Sequence, residues 1–426
     1  MTPSGLEPPS RTALQEIVHV GRTLLGRGEF RVVVACSMVM GLAVSFVLPF
    51  FSLFGTSEVG MSLAGFGAFM TTTAVLNMVI STVLSHRSDT RYSRRTLLLT
   101  GSLCGALGYL GYAFVREVWV LLAIGGLVLG VASITFSQLF AYARELIDER
   151  EIPASDAALY TSAIRMCFAL SWTVGPAIAA VTLGLLGFRG LFLVSALLYA
   201  LFFVLVWRFV PASERGVPRA VTAALSLRGY LMKPDVLAWF VAFALVFSAH
   251  TMSMSNMSLF VLKELAGTEA HVGIIFGLAP VFELPFMLYF GLLATRMAQP
   301  RLIRVAVTLA VMYYALLSLV SAPWHIYPLQ LLSAAIVSVT GGVAITFFQN
   351  KLPGQSGAAT NLYMNAGRIG STSGYLLFGA VASRFGHRGA YVACATLALA
   401  ALLLTLLLDR SGHKPLRSAG VETAKA

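Results

Sequence analysis

Charged residues are scarce in this sequence. Only 11% of its 426 residues are Asp, Glu, Lys or Arg, whereas about 25% is usual for a soluble globular chain. Hydrophobic residues make up 58%, and the mean hydropathy is +0.81. This composition excludes an ordinary cytosolic enzyme. It also excludes disorder, because disordered chains combine low hydrophobicity with high charge.

Cysteine is scarce too, and recognisable enzyme motifs are missing. The four cysteines, Cys36, Cys104, Cys167 and Cys394, fall in apolar stretches and are interpreted as small buried hydrophobes. The sequence has no glycine-rich phosphate loop with its lysine and no His-Glu metal motif, and its seven His form no ligand pair. We therefore expect no enzymatic activity, no cofactor and no metal.

The leader lacks the compact apolar region of a secretory signal, since residues 1–31 carry four Arg and three Glu. Its apolar residues at helical spacing suit either a helix in the membrane interface or a frayed tail.

Long apolar runs dominate the rest of the chain. A run of about 20 apolar residues crosses the roughly 30 Å hydrocarbon core of a membrane. The sequence predicts an all-α polytopic membrane protein with twelve such spans, near 32–52, 64–84, 96–115, 118–140, 157–184, 190–209, 236–262, 272–294, 303–322, 325–348, 357–382 and 389–408.

The net charge of +12 reflects topology rather than nucleic-acid binding. With the N-terminus in the cytoplasm, the inside loops hold 23 Lys and Arg, the outside loops hold 5, and 2 lie in spans. Such asymmetry is the positive-inside pattern. It predicts that both termini are cytoplasmic.

The longest internal connection divides the spans into two sets of six. The predicted organisation is a cytoplasmic segment 1–31, a six-helix half 32–210, a cytoplasmic loop 211–235, a second six-helix half 236–408 and a cytoplasmic tail 409–426.

Short segments recur across this midpoint. Ser52-Leu53-Phe54 with Glu58 matches Ser258-Leu259-Phe260 with Glu264, at an offset of 206. Leu159-Tyr160 with Ala163 and Arg165 matches Leu362-Tyr363 with Ala366 and Arg368, at an offset of 203. The matches favour two parallel repeats with a solute site between them near the membrane midplane. Chance similarity in restricted membrane composition is the alternative.

The loop between the second and third spans, His86 to Arg95, has an acidic residue followed closely by paired basic residues. It resembles the signature loop of the major facilitator superfamily, and a counterpart from Gly291 to Arg296 lacks the acid. The resemblance implies two six-helix repeats that rock about a central site. It also implies that ion pairs of this loop hold one state of a gate. The gating residues that it implies are Asp89, Arg94 and Arg95 of the loop, with Arg144 as a candidate partner.

A closer resemblance is to the sugar efflux transporters of that superfamily. The motifs that carry it are Gln138-Leu139-Phe140-Ala141 with Ala143-Arg144-Glu145, Arg165 with Trp172 and Gly175-Pro176, Glu283-Leu284-Pro285, Phe348-Gln349, Pro353-Gly354, and Gly357-Ala358-Ala359-Thr360 with Asn365. The sequence departs from the pattern at Asn256, where an acidic residue is expected. The resemblance implies export of sugars or sugar-like glycosides.

Three ionisable residues lie deep in the predicted spans: Arg165, Glu283 and Arg368. Charge at membrane depth is costly and usually marks a pathway. Two guanidinium groups facing one cavity can donate several hydrogen bonds to a solute. Alternatively, each Arg ties neighbouring helices together through backbone carbonyls.

Glu283, the sole deep carboxylate, is the predicted proton-coupling residue. Burial disfavours the charged form of a carboxyl group and a nearby Arg favours it, so a group under both influences can bind and release a proton. A permanent ion pair with Arg165 or Arg368 is the competing interpretation.

Neutral polar and aromatic residues at membrane depth complete the predicted substrate site beside the two Arg: Asn77, Gln138, Trp172, His250, Asn256, Gln349, Asn361 and Asn365. Phe247 and Tyr363 can offer flat faces to a sugar ring. Each polar group can instead form an ordinary interhelical hydrogen bond.

Taken with the resemblance, these residues predict a secondary active transporter of the bacterial inner membrane that exports sugars by proton antiport. Its partners are the solute, protons and lipid, without nucleic acid, and a monomer suffices. One alternative is a proton-coupled multidrug or amphiphile exporter, which the 28 Phe and 15 Met suit. Another is a membrane solute sensor that does not transport.

Overall fold

The computed structural model of the protein contains helices and connections, with no strand among the residues that it describes. Those residues are Gly26, 28–88, 93–150, 152, 154–211, 233–352 and 355–412. The predicted interfacial helix of the leader, most of the central loop and the end of the tail lie outside this part of the chain.

Six helical segments make up the first half. They are α1 (Gly28–Glu58), α2 (Leu63–Ser88), α3 (Arg94–Phe114), α4 (Val118–Glu149), α5 (154–186) and α6 (188–209). Short connections make successive helices antiparallel, so that their ends alternate between two faces of the bundle.

The second half repeats this arrangement. Its segments are α7 (Pro234–Glu264), α8 (Glu269–Arg296), α9 (Gln299–Leu319), α10 (Pro323–Lys351), α11 (356–385) and α12 (387–412). Several helices are longer than their predicted spans, α1 and α4 most clearly, because a helix continues past the point at which its residues stop being apolar.

One glycine separates α5 from α6, and one separates α11 from α12. Gly187 has φ 63° and Gly386 has φ 70°, a left-handed conformation that glycine adopts without the steric cost of a Cβ. The apolar stretches that contain them have 47 and 52 residues. At 1.5 Å per residue these are about 70 and 78 Å long, more than twice the hydrocarbon core.

By length and composition, ten stretches of the described chain are able to cross a membrane. Division of the two longest at Gly187 and Gly386 gives twelve segments, which favours the predicted number of spans. The all-helical fold is confirmed.

Four π-helical turns occur at matched places in the two halves. Phe54–Glu58 ends α1 and Phe260–Glu264 ends α7, while Ile124–Val128 interrupts α4 and Val339–Val343 interrupts α10. Such turns are rare and concentrate at functional sites. Their equivalent positions favour the predicted internal duplication, since the first pair ends at the two Glu of the 206-residue match.

The two faces of the bundle are packed differently. We call the face that carries the connections after α1, α3, α5, α7, α9 and α11 the closed face, and the other the open face. At the closed face one hydrophobic core joins both halves, with Phe50 and Ala180 from the first and Phe260 and Tyr391 from the second.

Towards the open face the core divides. One cluster holds first-half residues such as Phe30 and Tyr160, and a separate one holds second-half residues such as Trp239, Phe348 and Tyr363. The halves therefore share a core at one face and part at the other, which leaves a cavity between them that narrows towards the closed face.

Candidate functional site: a cavity between the two halves

Two helix pairs form the seams between the halves. In the α2–α11 seam, a methyl group on Gly67 would lie 2.7 Å from the Gly379 Cα, and in the α5–α8 seam a methyl group on Gly273 would lie 2.9 Å from the Pro176 carbonyl oxygen. Only glycine permits such close backbone contact. Both contacts lie near the closed face, and the Ser258 hydroxyl reinforces it by donating to the Pro49 carbonyl.

Arg165 projects from α5 into the space between the halves. Exposed apolar residues mark the lipid side of this helix, among them Leu170, Val174 and Ile178. At 100° per residue, Arg165 lies about 180° from Val174, yet its side chain is exposed. It therefore faces the cavity. Its guanidinium lies 5.9 Å from the centre of the Phe140 ring and makes no hydrogen bond or ion pair with any described residue.

Glu283 occupies the matching side of α8. Ile274, Val281 and Leu288 form the exposed stripe of that helix, and Glu283 lies about 180° from Ile274. Met287, one turn closer to the open face, is also 42% exposed although it lies away from the stripe. The Glu283 carboxylate is partly buried. Among the described residues it forms no ion pair with Arg165 or Arg368 in this conformation.

Arg368 lies on the face of α11 that meets the first half. It is about 20° from Gly379 and Tyr375 around the helix, and backbone atoms of both contact Gly67. Three turns nearer the open face, where the halves have parted, Arg368 is exposed. It too has no hydrogen-bond or ion-pair partner in the described part of the chain.

Aromatic side chains line both walls beside these charges. On the first half, the Phe136 ring lies 4.8 Å from the Phe140 ring and 5.1 Å from the Phe168 ring. On the second half, the partly exposed Phe247 ring lies 5.7 Å from the buried Tyr363 ring. The Tyr363 hydroxyl donates to the Thr340 carbonyl at 2.8 Å, which fixes this ring against the π turn of α10.

Four further predicted residues lie at the cavity. His250 shares a partly exposed face of α7 with Phe247, and Trp172 lies two turns from Arg165 on the same side of α5. Asn361 is exposed two turns before Arg368, and Asn365 is partly buried between them. No hydrogen bond or ion pair joins any of these polar side chains to another described residue, so their donors and acceptors are available to a solute.

Four other predicted binding residues lie at contacts between helices. Asn256 is fully buried at the closed face, where its amide nitrogen donates to the His387 carbonyl at 2.9 Å and its oxygen lies 2.7 Å from His387 Nδ1. The Gln138 side chain is held by Arg94 at 2.9 Å. Both assignments to the substrate site stay predictions, and in this conformation the two amides make contacts within one half.

Gln349 and Asn77 also lie at helix contacts. The Gln349 amide donates to the Thr360 hydroxyl at 3.0 Å near the open face. Asn77 Oδ1 would lie 3.0 Å from a methyl group on Gly130 of α4, so this oxygen is turned towards its own half. It is buried and has no hydrogen-bond partner among the described residues.

The predicted gating residues form pairs within the first half. Arg94 Nε donates to Glu145 at 2.9 Å, Arg95 donates to the Trp207 carbonyl at 2.7 Å, and Arg144 pairs with Asp148 at 3.0 Å. Asp89 lies outside the described residues. The described partner of Arg144 is therefore its neighbour one turn along α4.

Sequence analysis missed Phe136 as a wall residue and missed one internal match. Ile134-Thr135-Phe136 with Gln138 recurs as Ile345-Thr346-Phe347 with Gln349, at an offset of 211. This signal was readable, and it would have aligned α4 with α10. No group of three or more possible metal ligands occurs among the described residues.

Comparison with known proteins agrees with this architecture. The family model described as Major Facilitator Superfamily matches residues 33–374. The chain is 36% identical to a putative sugar efflux transporter of Deinococcus radiodurans over 88% of this chain and 96% of that one. It is 35% identical to sugar efflux transporter A of Dickeya chrysanthemi over 88% of this chain and 94% of the relative.

Solved structures show the same fold at low sequence identity. A bacterial homologue of the human lysosomal transporter Spinster, in an inward-facing and occupied conformation, superposes with a TM-score of 0.74 at 14% identity, over 92% of this chain and 97% of its own. The sequence relatives, the family model and the two-half helical fold agree: this chain is an integral membrane protein that belongs to the Major Facilitator Superfamily of transporters.

Proposed function

We propose that the protein exports sugars or sugar-like glycosides from the bacterial cytoplasm in exchange for protons. The observation that carries this proposal is the cavity, which opens at one face and holds Arg165, Arg368 and Glu283 without partners among the described residues. Its relatives are named sugar efflux transporters.

The open face is the cytoplasmic face in this proposal. The Lys and Arg residues concentrate in the loops on that side, as the positive-inside pattern requires. The conformation described above is then the one that admits cargo from the cytoplasm, and both termini lie on the same side.

Sugar binding needs donors and acceptors for hydroxyl groups and flat apolar surfaces for the C–H faces of the ring. Arg165, Arg368 and His250 supply the polar groups. The partly exposed Phe140 and Phe247 rings supply the surfaces on opposite walls. Rocking of the halves about the seams then carries the site from one side of the membrane to the other.

Glu283 couples the cycle to protons. When the cavity faces the cytoplasm, the carboxylate releases its proton and the cargo enters. When the cavity faces outward, a proton from outside binds Glu283 as the cargo leaves. An inward proton gradient drives export, because the higher proton concentration outside favours binding of a proton to Glu283 there and its release to the cytoplasm.

Proteoliposomes test the proposal. The purified protein is reconstituted, and the flux of labelled sugars is measured by counterflow and under an imposed pH gradient. We expect Glu283→Gln to keep counterflow while losing the response to the gradient. Glu269→Gln, at the first turn of the same helix, is the matched control and should behave like the parent. A Glu283→Gln variant that retains pH-driven flux would refute the coupling role.

A second candidate is a multidrug or amphiphile exporter. Met287 and Met364 are 42% and 44% exposed on the walls that face the cavity, and flexible thioether side chains adapt to varied apolar ligands. Movement of a cationic dye without sugar in the same liposomes supports this candidate. If neither solute moves, export is refuted and the non-transporting sensor remains.

A further inference from the structure

We infer that the cargo carries a negative charge and that Arg368 is the residue that binds it. This inference rests on the proposed function, because it names the class of sugar that the cavity accepts. It follows from a difference between the two seams at the level of the charged residues.

The first observation is a charge count. Among the residues that the structure describes, Glu283 is the only carboxylate deep between the halves, because the other described Asp and Glu lie at helix ends or in connections. Arg165 and Arg368 are the only described Arg or Lys residues there. The cavity therefore holds one positive charge in excess even when Glu283 is ionised.

The α5–α8 seam brings one Arg level with the carboxylate. Two contacts define the register of this seam. Gly273 of α8 lies against Ala177 of α5, and Gly277, four residues later on α8, lies against Thr173, four residues earlier on α5. Six residues further along α8 is Glu283. The corresponding position on α5 is two residues from Arg165, or about 3 Å along the axis. When the open face closes, this seam tightens and Arg165 pairs with Glu283.

The α2–α11 seam has the same register, but an asparagine stands where the other seam has Glu283. The Thr71 hydroxyl donates to the Thr372 carbonyl at 3.4 Å. Six residues further along α2 is Asn77, and the corresponding position on α11 is again two residues from Arg368. Asn77 thus stands level with Arg368 along this seam, as Glu283 stands level with Arg165 along the other.

The internal duplication shows the same equivalence. The offset of 206 that relates Glu58 to Glu264 and Gly67 to Gly273 also relates Asn77 to Glu283. Asparagine is neutral, its Oδ1 is turned to α4, and α2 contains no Asp or Glu from Leu63 to Ser88. Closure therefore provides Arg165 with a counter-charge from the protein and provides Arg368 with none.

An unpaired cation sealed from water is strongly unfavourable. The cargo-loaded cavity therefore closes most readily when the cargo supplies the missing anion. A planar guanidinium binds a carboxylate or phosphate group through two parallel hydrogen bonds, and the partly exposed Phe247 ring, which would lie 3.7 Å from a methyl group on the neighbouring Gly367, offers a surface for the sugar. The cargo is thus a saccharide that bears one anionic oxygen group.

Three labelled sugars with nearly the same ring test this inference: methyl glucuronide, glucose 6-phosphate and methyl glucoside. We expect export of the glucuronide or the phosphate with an apparent affinity at least about tenfold higher than that of the neutral glucoside, since a hydrogen bond to a charged group typically contributes this much or more. The two acidic sugars distinguish a carboxylate from a phosphate as the anion.

Two variants test whether the preference for an acidic sugar depends on the α2–α11 seam. Arg368→Gln should abolish the preference for the acidic sugar, because it should lower the affinity for that sugar at least about tenfold more than the affinity for the glucoside. Asn77→Asp adds the missing counter-charge without changing the size of the side chain, and it should invert the preference towards the glucoside. Arg384→Gln, an exposed arginine near the end of the same helix, is the matched control and should keep the parent's preference.

The outcomes separate this inference from the proposed function. Export of the glucoside at an affinity equal to or above that of both acidic sugars overturns the inference and leaves sugar export standing. Loss of preference in Arg384→Gln as well as in Arg368→Gln also overturns it. If none of the three sugars moves, sugar export itself is refuted, and the inference falls with it.

Discussion

The two halves share a backbone plan but pack differently around it. The π turns of α4 and α10 each contain two consecutive glycines. A methyl group on Gly125 would lie 2.4 Å from the Tyr112 hydroxyl, and one on Gly126 would lie 2.4 Å from a Leu76 methyl. A methyl group on Gly341 or Gly342, by contrast, would meet no described atom within 4 Å outside its own stretch of helix. The same turn is thus packed tightly in one half and borders open space in the other.

The open face shows a second difference. In the first half a charged side chain, Arg94, joins α3 to Gln138 and Glu145 of α4. In the second half neutral Gln299 joins α9 to Thr346 and Asn350 of α10. The helix contact is retained while the charge is lost.

At the closed face each half has an equivalent contact of an arginine with a glutamate and a phenylalanine ring, but the arginine comes from a different connection in each half. Arg116 pairs with Glu58 at 3.1 Å and lies 5.2 Å from the Phe54 ring centre. Arg388 pairs with Glu264 at 3.4 Å and lies 5.4 Å from the equivalent Phe260 ring centre. The first arginine follows α3, whereas the second opens α12. The acid and the ring are therefore the repeated part of the contact, and the arginine is supplied by whichever connection lies nearby.

The largest expected effect concerns the seams, where the halves should respond alike. In Gly379→Ala the new methyl would lie 2.9 Å from the Gly67 Cα and the Leu63 carbonyl, which are backbone atoms that cannot yield. Overpacking of this kind costs about 1–3 kcal/mol, so we expect the closed face to open and sugar flux to fall about ten- to hundredfold. Gly273→Ala, at the other seam, should give the same loss.

Alkylation reports the opening directly. A Ser258→Cys reporter, buried beneath the closed face, should react with an impermeant reagent faster when combined with Gly379→Ala. Gly357→Ala, on the same helix with no atom within 4 Å of the new methyl, is the control. Equal reactivity in the two backgrounds would contradict this account of the closed face.

An effect of intermediate size is expected at the two π turns, which should differ in how much a glycine-to-alanine substitution lowers stability. Gly125→Ala forces the Tyr112 ring from its place, and this ring is buried and donates to the Leu121 carbonyl at 3.1 Å. We expect a loss of about 1–3 kcal/mol in stability, measured as a lower melting temperature in detergent. Gly341→Ala meets no atom and should be neutral or slightly stabilising. Similar melting temperatures for the two variants would show that the turns are packed alike.

The smallest effect concerns the pairs at the closed face. Glu58 and Glu264 are 41% and 28% exposed, so water screens both ion pairs. Glu58→Ala should cost less than about 1 kcal/mol. Glu264→Ala should cost about 1 kcal/mol more, because this carboxylate also accepts the His387 backbone N–H at 3.2 Å. Thermal unfolding of the two variants measures the difference, and a larger loss in Glu58→Ala would reverse the order expected here.

The fold was predictable because it depends on a one-dimensional property of the chain. Long apolar runs separated by charged connections allow only helices that cross a membrane, and the repeated Glu58 and Glu264 ends were visible without coordinates. Arg165, Arg368 and Glu283 stood out in the same way, since a charged residue inside an apolar run has few places to go other than a cavity.

Asn256 and Gln138 illustrate what the sequence could not reveal. Each is a polar residue within an apolar run, as Asn361 and Asn365 are, and no pattern distinguishes them. Asn256 is paired because the connection after α11 brings His387 against the end of α7. Gln138 is paired because α3 begins opposite it with Arg94. Both partners are more than 40 residues away along the chain.

The sequence by itself determined that the protein is a helical membrane protein of two related halves, and which three charges lie deep within it. Composition and periodicity suffice for this, because the bilayer admits so few structures. Only the tertiary structure decided that the halves share a core at one face and part at the other, and that Arg165 stands level with Glu283 while Arg368 stands level with Asn77. Those facts depend on the register between helices far apart in sequence, which is set by close glycine contacts at the seams.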